Sequence, residues 1–338
     1  MKHISKTMRS CIMKKVLVSI FMLIFCSALI AESPFKVTNK NVLNDDQNHL
    51  VSPQWSPDGG YLAAAGVNYG SIWIYDFEQS SWSKLVEGNG SGWDFAWSPD
   101  SKKISFRANV FEKRRKKTTI KVVDVASKST EQLVDYSKNY STPDWITSEV
   151  VAYVHEQEFK TVRATDKKDD QQATAVKQNP IVLSMAAGHV VRNAEGTQKL
   201  LHNAEWQIFN PAYSPDGTMM AYEKPGGGIY SLNIETNQES EIASGEMPAW
   251  SPDGKYIVYA TPKDDGHQIL SSDLWICNVN GSNKQQITRT DDVKEMHPTW
   301  SPDGATIACD DEGKIILLSI QKQKTKRIEK VEETRRDR

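Results

Sequence analysis

Short apolar runs with almost no polar interruption recur along this chain at 61–65, 104–106, 219–222, 256–260 and 305–309. Runs of that length and continuity read as strands buried on both faces. A second strand follows each of them, at 72–76, 120–124, 229–234, 273–279 and 314–320. A more polar third strand comes next, as at 83–86, 131–134 and 285–288. The same punctuation stands ahead of every apolar run: Trp55-Ser56-Pro57-Asp58-Gly59, Trp97-Ser98-Pro99-Asp100-Ser101, Tyr213-Ser214-Pro215-Asp216-Gly217, Trp250-Ser251-Pro252-Asp253-Gly254 and Trp300-Ser301-Pro302-Asp303-Gly304. A worn copy sits at Pro143-Asp144-Trp145. Proline presets φ, aspartate bonds its own backbone and glycine takes conformations other residues avoid, so the motif is a tight turn. Pro53, Pro211, Pro248 and Pro298 each stand two residues before the aromatic.

Each repeat is therefore a small antiparallel sheet: inner strand, turn, buried strand, hairpin, outer strands. One such sheet cannot bury both its faces. Radial stacking does, and the expected fold is all-β, a single β-propeller of four-stranded antiparallel blades. Trp55, Trp97, Trp145, Tyr213, Trp250 and Trp300 are expected as wedges between neighbouring blades. Asp58, Asp100, Asp216, Asp253 and Asp303 resemble metal ligands only when written side by side. Each sits in its own turn, spaced around a ring, so turn bonding explains them.

The markers are spaced 42, 48, 37 and 50 residues apart, but 68 separate Trp145 from Tyr213. Either blade three carries a long insertion or one blade has lost its turn. In the second case 180–185 is the buried strand of the missing blade, with an outer hairpin over 188–196 and 198–201. Residues 171–174 mimic 285–288 and would finish blade three. Repeats of ~40–45 residues fit six or seven blades between 50 and 333, with seven slightly favoured. Val42 lies 13 residues before Trp55, as Ile287 lies 13 before Trp300. The shared offset suggests an N-terminal strand in the last blade, which would close the ring and remove two open edges; the spacing does not separate it from a C-terminal closing strand. Residues 325–331 are the rival closing strand.

The aromatic-Ser-Pro-Asp-Gly turn resembles the TolB-like propeller repeat, and its copies cover most of the chain beyond residue 50. The resemblance is to the propeller half of TolB, without its N-terminal α/β domain. It implies a non-enzymatic periplasmic scaffold that holds a protein or peptide at one face of the ring. Some TolB-like propellers also resemble oligogalacturonate lyases, whose histidines bind a divalent metal in the channel. The candidates for that role would be His155, His202, His267 and His297. His297 is the weakest, since it occupies the ordinary pre-proline slot of the repeat.

The N-terminus changes the picture of location. Basic residues precede an apolar run over 16–31 that is short against the ~20 residues of a membrane span. Residues 1–31 read as an export signal cleaved after Ala31 or Ala28, leaving a propeller over 32–333 and a charged tail at 334–338. No membrane span is expected after cleavage, and a monomeric periplasmic protein is. The first 31 residues hold five of the 41 basic groups and none of the 43 acidic ones, so 36 basic face 43 acidic residues afterwards. That balance argues against binding nucleic acid through its phosphates.

Lys113-Arg114-Arg115-Lys116-Lys117 marks a hairpin tip in blade two, either simply solvated or set against an anionic surface such as phospholipid or polysaccharide. Cys277 and Cys309 remain after cleavage. They either pair in an oxidising compartment or stay apart as small buried groups. No Gly-x-Ser-x-Gly elbow, His-Glu-x-x-His helix or phosphate-cradling glycine loop occurs, so no catalytic, cofactor-binding or metal residue is expected.

Overall fold

The computed structural model describes residues 34–44, 48–138, 140–164, 181–185, 188–192, 198–201 and 208–323. The export signal, residues 171–174, His202, the rival closing strand 325–331 and the tail lie outside them. The described residues divide into two compact units, 37–321 and the terminal pieces 34–36 with 322–323. In the terminal unit the Gln323 N–H donates to the Pro34 carbonyl (2.9 Å).

Seven antiparallel sheets form among the described residues, numbered here as blades in chain order. Blade 1 comprises Leu50–Trp55, Tyr61–Gly66, Ser71–Asp76 and Ser81–Glu87. Blade 2 comprises Ala96–Trp97, Lys103–Glu112, Arg115–Asp124 and Thr130–Gln132. Blade 3 has three described strands, Asp144–Thr147, Val150–His155 and Glu158–Arg163. Blade 4 also has three, Ile181–Met185, Gly188–Arg192 and Gln198–Leu201. Blade 5 comprises Phe209–Tyr213, Met219–Glu223, Ile229–Asn233 and Glu239–Ala243. Blade 6 comprises Glu246–Trp250, Tyr256–Asp264, Ile269–Asn278 and Gln285–Gln286. Blade 7 comprises Met296–Trp300, Thr306–Asp311 and Lys314–Lys322, with Phe35–Val42 as its fourth strand. The N-terminal strand therefore closes the ring. Along it the Thr38 hydroxyl donates to the Ser319 carbonyl (3.3 Å), and the Leu43 N–H to Ile315 (2.9 Å).

The second strand of each blade explains the continuous apolar runs. Side chains alternate between its two faces. In blade 1, Ala63 and Ala65 pack with Ile104 and Phe106 of blade 2, whereas Leu62 and Ala64 pack with Ala308 and Ile315 of blade 7. Both faces are interior, which is why the run is almost wholly apolar. Each fully buried Leu or Ile contributes about 1.5–3 kcal/mol.

Blade 4 corrects one expectation. Ile181–Met185 packs on the first two strands of blade 3, where the innermost strand of a blade lies elsewhere in the ring, and not in the place of a second strand. With no turn motif ahead of it, sequence alone could not assign its place.

The turns are closed networks. In blade 6 the Ser251 hydroxyl donates to Asp253 (2.7 Å) and accepts from the Tyr256 N–H (3.0 Å), while the Gly254 N–H donates to the Ser251 carbonyl (2.9 Å). The copies at Ser56, Ser98, Ser214 and Ser301 repeat these bonds. Hydroxyls from Ser214 and Ser301 hold Asp216 and Asp303 below the usual carboxylate range. Gly304 has φ 70°, and a Cβ there would meet Pro252 of the preceding turn at 3.3 Å. Glycine is needed both for the turn and for the approach of neighbouring turns.

Candidate binding face

Within a blade the first strand runs towards the Ser-Pro-Asp-Gly turn and the second returns. The start of one thus lies beside the end of the other, far from the turn. Registers in blades 5, 6 and 7 pair Phe209 with Glu223, Glu246 with Ala260 and Met296 with Asp310. Each register shifts there. At the shift Ser52, Asn210, Met247 and His297, each just before a proline, take φ of 54°, 46°, 55° and 47°. Such backbone costs on the order of 1–3 kcal/mol and persists only where its surroundings hold it.

Carboxylates hold it. Asp310 accepts from the Ser52 N–H of blade 1 (2.7 Å) and pairs with Nδ1 of His297 in its own blade (2.8 Å). Glu223 accepts from the Met247 N–H of blade 6 and from the Asn210 amide of its own blade (2.8 Å). Asp310 and Glu223 each stand ten residues after the repeat aromatic, and each latches its blade to the next. Burial opposes charge on His297, but the Asp310 hydrogen bond and charge outweigh it and move the imidazole up. The same offset gives Arg107, whose charge faces Asp94 and whose Nη1 donates to the Tyr140 carbonyl (3.3 Å). It also gives His155, hydrogen-bonded to Ser137 (2.9 Å) and stacked on Tyr140 at 4.4 Å. Sequence reasoning missed this series. The signal was its fixed distance from the aromatic.

The aromatics lie between blades. Indole N–H groups of Trp97, Trp145 and Trp250 donate to Gln54 (3.2 Å), Ala96 (3.0 Å) and Ala212 (3.0 Å), the carbonyls just before the aromatic of another blade. Trp55 stacks on Phe77 at 5.1 Å. Trp145 and Trp300 are buried. The Tyr213 hydroxyl faces Asp144 across the channel wall, and burial moves the phenol up. Burial also pushes Asp144 up to about 6.

The inner strands enclose a cavity of about 560 Å³, lined at its mouth by Ser52, Asp94, Thr142, Leu183, Asn210, Met247 and His297, one from each blade or the segment leading into it. Around this mouth the apolar surface is concentrated. Trp93 and Phe209 stand on its rim, 47% and 48% exposed. Val67, Phe111 and Leu270 sit at the hairpins that follow second strands, and Val42 at the end of the closing strand. Every large exposed hydrophobic among the described residues is therefore towards the face opposite the turns. The basic hairpin turns at Lys113 and Arg114 on the same face.

Of the histidines named for a metal, the three that are described, His155, His267 and His297, do not converge. His155 and His297 have the partners above, and His267 lies in the blade 6 hairpin, its N–H on Asp265 (2.9 Å). Among the described residues no group of three His, Cys, Asp or Glu is placed to hold a metal ion. Cys277 and Cys309 are buried free thiols, and burial pushes Cys277 up to about 11. No helix among the described residues is long and apolar enough to cross a membrane.

Fold and repeat define a β-propeller, and comparison with known proteins narrows the class. The family model "TolB beta propeller domain" matches residues 190–334. Tol-Pal system protein TolB from Francisella tularensis is 21% identical over 277 residues, 78% of this chain and 57% of that protein. The chain thus spans little more than half of the curated relatives it matches. Dipeptidyl-peptidase 5 of Porphyromonas gingivalis is also 21% identical, over 80% of this chain and 38% of its own. Among solved structures, a putative TolB from Agrobacterium tumefaciens shares the fold with a TM-score of 0.53 at 17% identity, covering 84% of this chain and 94% of that one. TolB from Acinetobacter baumannii gives the same TM-score at 15% identity, covering 77% and 59%. The family model, the relatives and the shared fold support a TolB-like β-propeller family for this chain.

Proposed function

We propose that the protein is an exported, non-enzymatic scaffold that holds a protein or peptide partner at the propeller face opposite its turns. The observation that carries this is that Trp93 and Phe209 stand exposed on the channel rim while Val67, Phe111 and Leu270 are exposed at hairpins towards the same face. Exposed apolar surface collected on one side marks an interaction site, and aromatic residues are enriched in interfaces. The opposite face is made of turns whose polar groups bond one another. Likeness to relatives named for the Tol-Pal system supports a scaffold over an enzyme. In this reading 1–31 is a signal removed in the periplasm, 32–333 the working propeller and 334–338 a solvated tail. The repeat aromatics act as wedges between blades and the turn aspartates shape the turns.

The test is cross-linking in envelope extract with three proteins: the wild type, Phe209→Asp at the channel mouth and Lys255→Glu on the turn face. One partner band should form with the wild type and with Lys255→Glu, and vanish with Phe209→Asp. Loss on Lys255→Glu alone would place the partner on the other face. A wild-type protein that captures nothing above a scrambled bait would end the scaffold reading.

A further inference from the structure

Blade 2 is built unevenly. Its first strand is only Ala96–Trp97, while its second, Lys103–Glu112, has ten residues. Outer residues of the second strand therefore project past the inner strand as a ribbon with the third. The ribbon ends in a two-residue turn, Lys113-Arg114, with both φ positive (46° and 66°) and Glu112 paired to Arg115. In such a hairpin the flanking pair exchanges both backbone bonds, and alternate residues bond on alternate sides. Glu112 and Val110 are thus committed to the third strand. Arg107, Asn109 and Phe111 aim their backbone groups at the other side, which the short first strand does not reach. Asn109 there donates its N–H to the Asn89 carbonyl (3.0 Å). Beyond it, at Phe111, no backbone partner stands on that side among the described residues, so the strand edge there is open, and Phe111 is 64% exposed.

A groove of about 390 Å³ runs along this edge, lined by Tyr69, Trp93, Arg107, Asn109, Phe111 and Lys116. Its size falls within the range of ligand sites. Its far wall is preformed. The Gly92 N–H donates to the Tyr69 carbonyl (3.0 Å), and a Cβ at Gly92 would meet the Ser71 carbonyl oxygen at 2.6 Å. Trp93 is set edge-on against Tyr69 at 4.6 Å. A wall already in place spares the ordering cost of binding.

The charge beside the groove is one-sided. Lys117 is paired with Glu112 at 2.6 Å. The exposed side chains of Lys113, Arg114, Arg115 and Lys116 make no ion pair among the described residues, in a chain that is otherwise acidic after its first 31 residues.

We propose that this groove binds an extended acidic peptide with a large apolar anchor, its backbone pairing along the open edge of Lys103–Glu112 at Phe111. The proposal rests on the scaffold reading and deepens it by naming the partner's chemistry and its place. An open edge supplies the main-chain bonds of strand addition. Trp93 and Phe111 receive the anchor, and the hairpin cations attract the carboxylates, raising the association rate more than the intrinsic fit. A sugar polymer or an anionic bilayer would use the cations but has no backbone to set against a strand edge.

The test is fluorescence anisotropy on the whole protein with a labelled peptide of Glu and Asp around one central Phe. The comparison probes are the same peptide with Lys in place of the acids, polygalacturonate, and vesicles containing phosphatidylglycerol. The acidic peptide should bind best, and more weakly as salt rises, since the screening length shrinks to about 3 Å at 1 M. Lys113→Glu with Arg114→Glu and Lys116→Glu should cost about tenfold or more and flatten the salt dependence. Phe111→Ala should cost about tenfold with the salt dependence kept. These side chains are exposed, and an unchanged circular dichroism spectrum confirms folding. Tighter binding of polygalacturonate or of the vesicles overturns the peptide assignment. If the triple variant still binds the peptide as the wild type does while Phe209→Asp abolishes partner capture, this assignment fails and the scaffold reading stands.

Discussion

Asp310→Asn probes how the ring is held shut. Asp310 is 4% exposed and sits at the seam where the last blade meets the first. Its carboxylate takes the Ser52 N–H across the seam at 2.7 Å and the His297 ring at 2.8 Å. Asn keeps an oxygen for Ser52 but loses the charge, and its other side offers an amide where His297 needs an acceptor. A hydrogen bond to a charged group contributes about 1.5–3 kcal/mol and a neutral one about 1. The expected loss is therefore about 2–5 kcal/mol. It should depend on pH in a fixed direction. His297 is moved up despite burial, through Asp310. A group whose folded pKa is raised gives its stabilisation in full below the unfolded value of about 6.5 and loses it as pH rises through the folded one. Without the carboxylate, burial alone acts on the ring and disfavours its charge. The variant's penalty should be larger near pH ~5.5 than near pH ~9. Urea unfolding followed by tryptophan fluorescence at the two pH values, at one ionic strength, measures both penalties. Equal penalties, or a larger one at high pH, would refute the charged pairing of His297 with Asp310.

Two further outcomes follow from buried groups. Ser251 is 3% exposed, and Ser251→Ala removes the acceptor of the Tyr256 N–H and the donor to Asp253. It should cost about 1–3 kcal/mol, read as a lower midpoint in a thermal melt, and an unchanged midpoint would count against the turn network. Cys277 and Cys309 are buried free thiols with their ionisation suppressed. Both should be inert to an aromatic disulfide reagent in the folded protein and react fully once it is unfolded without reductant. A native protein whose two thiols stay unreactive after unfolding, until reduced, would show a disulfide instead.

Much of the fold was legible because the repeat writes local chemistry. A buried serine, a proline, an aspartate and a glycine make a turn from their own atoms, so Ser56 through Gly59 predicts a turn without knowing its neighbours. Ring closure was half legible: Val42 and Ile287 hold the same offset from the next tryptophan, but 325–331 offered an equal rival strand. Blade 4 was not, since Ile181–Met185 has no turn motif before it and its hydrophobic pattern fits an inner or a second strand equally well. The latches were missed for a physical reason. Glu223 and Asp310 look like ordinary charged residues at strand ends, and they gain meaning from Met247 and Ser52, 24 and 258 residues away in sequence. The groove beside blade 2 could be half read. Its cations were plain, but the open edge depends on how far the first strand extends.

These differences divide the propeller into two faces with separate tasks. At the turn face every copy satisfies its own polar groups, and adjacent turns touch through proline and glycine. Little is left there to recognise anything, and a change mostly costs stability. At the other face one repeat position, ten residues after the aromatic, holds Ala65, Arg107, His155, Glu223, Ala260 and Asp310. Alanine fills space there, the carboxylates latch one blade to the next, and Arg107 and His155 take local partners. The fold tolerates this variety because the carboxylate latch is made at two seams, through Glu223 and Asp310, while blades 1 and 6 carry alanine at the same position. A position that can vary without breaking the ring can carry specificity, and it lies beside the exposed Trp93, Phe111 and Phe209. Substitutions of the exposed Trp93, Phe111 and Phe209 should therefore change binding before they change stability, whereas substitutions of the latching carboxylates or in the turns should do the reverse.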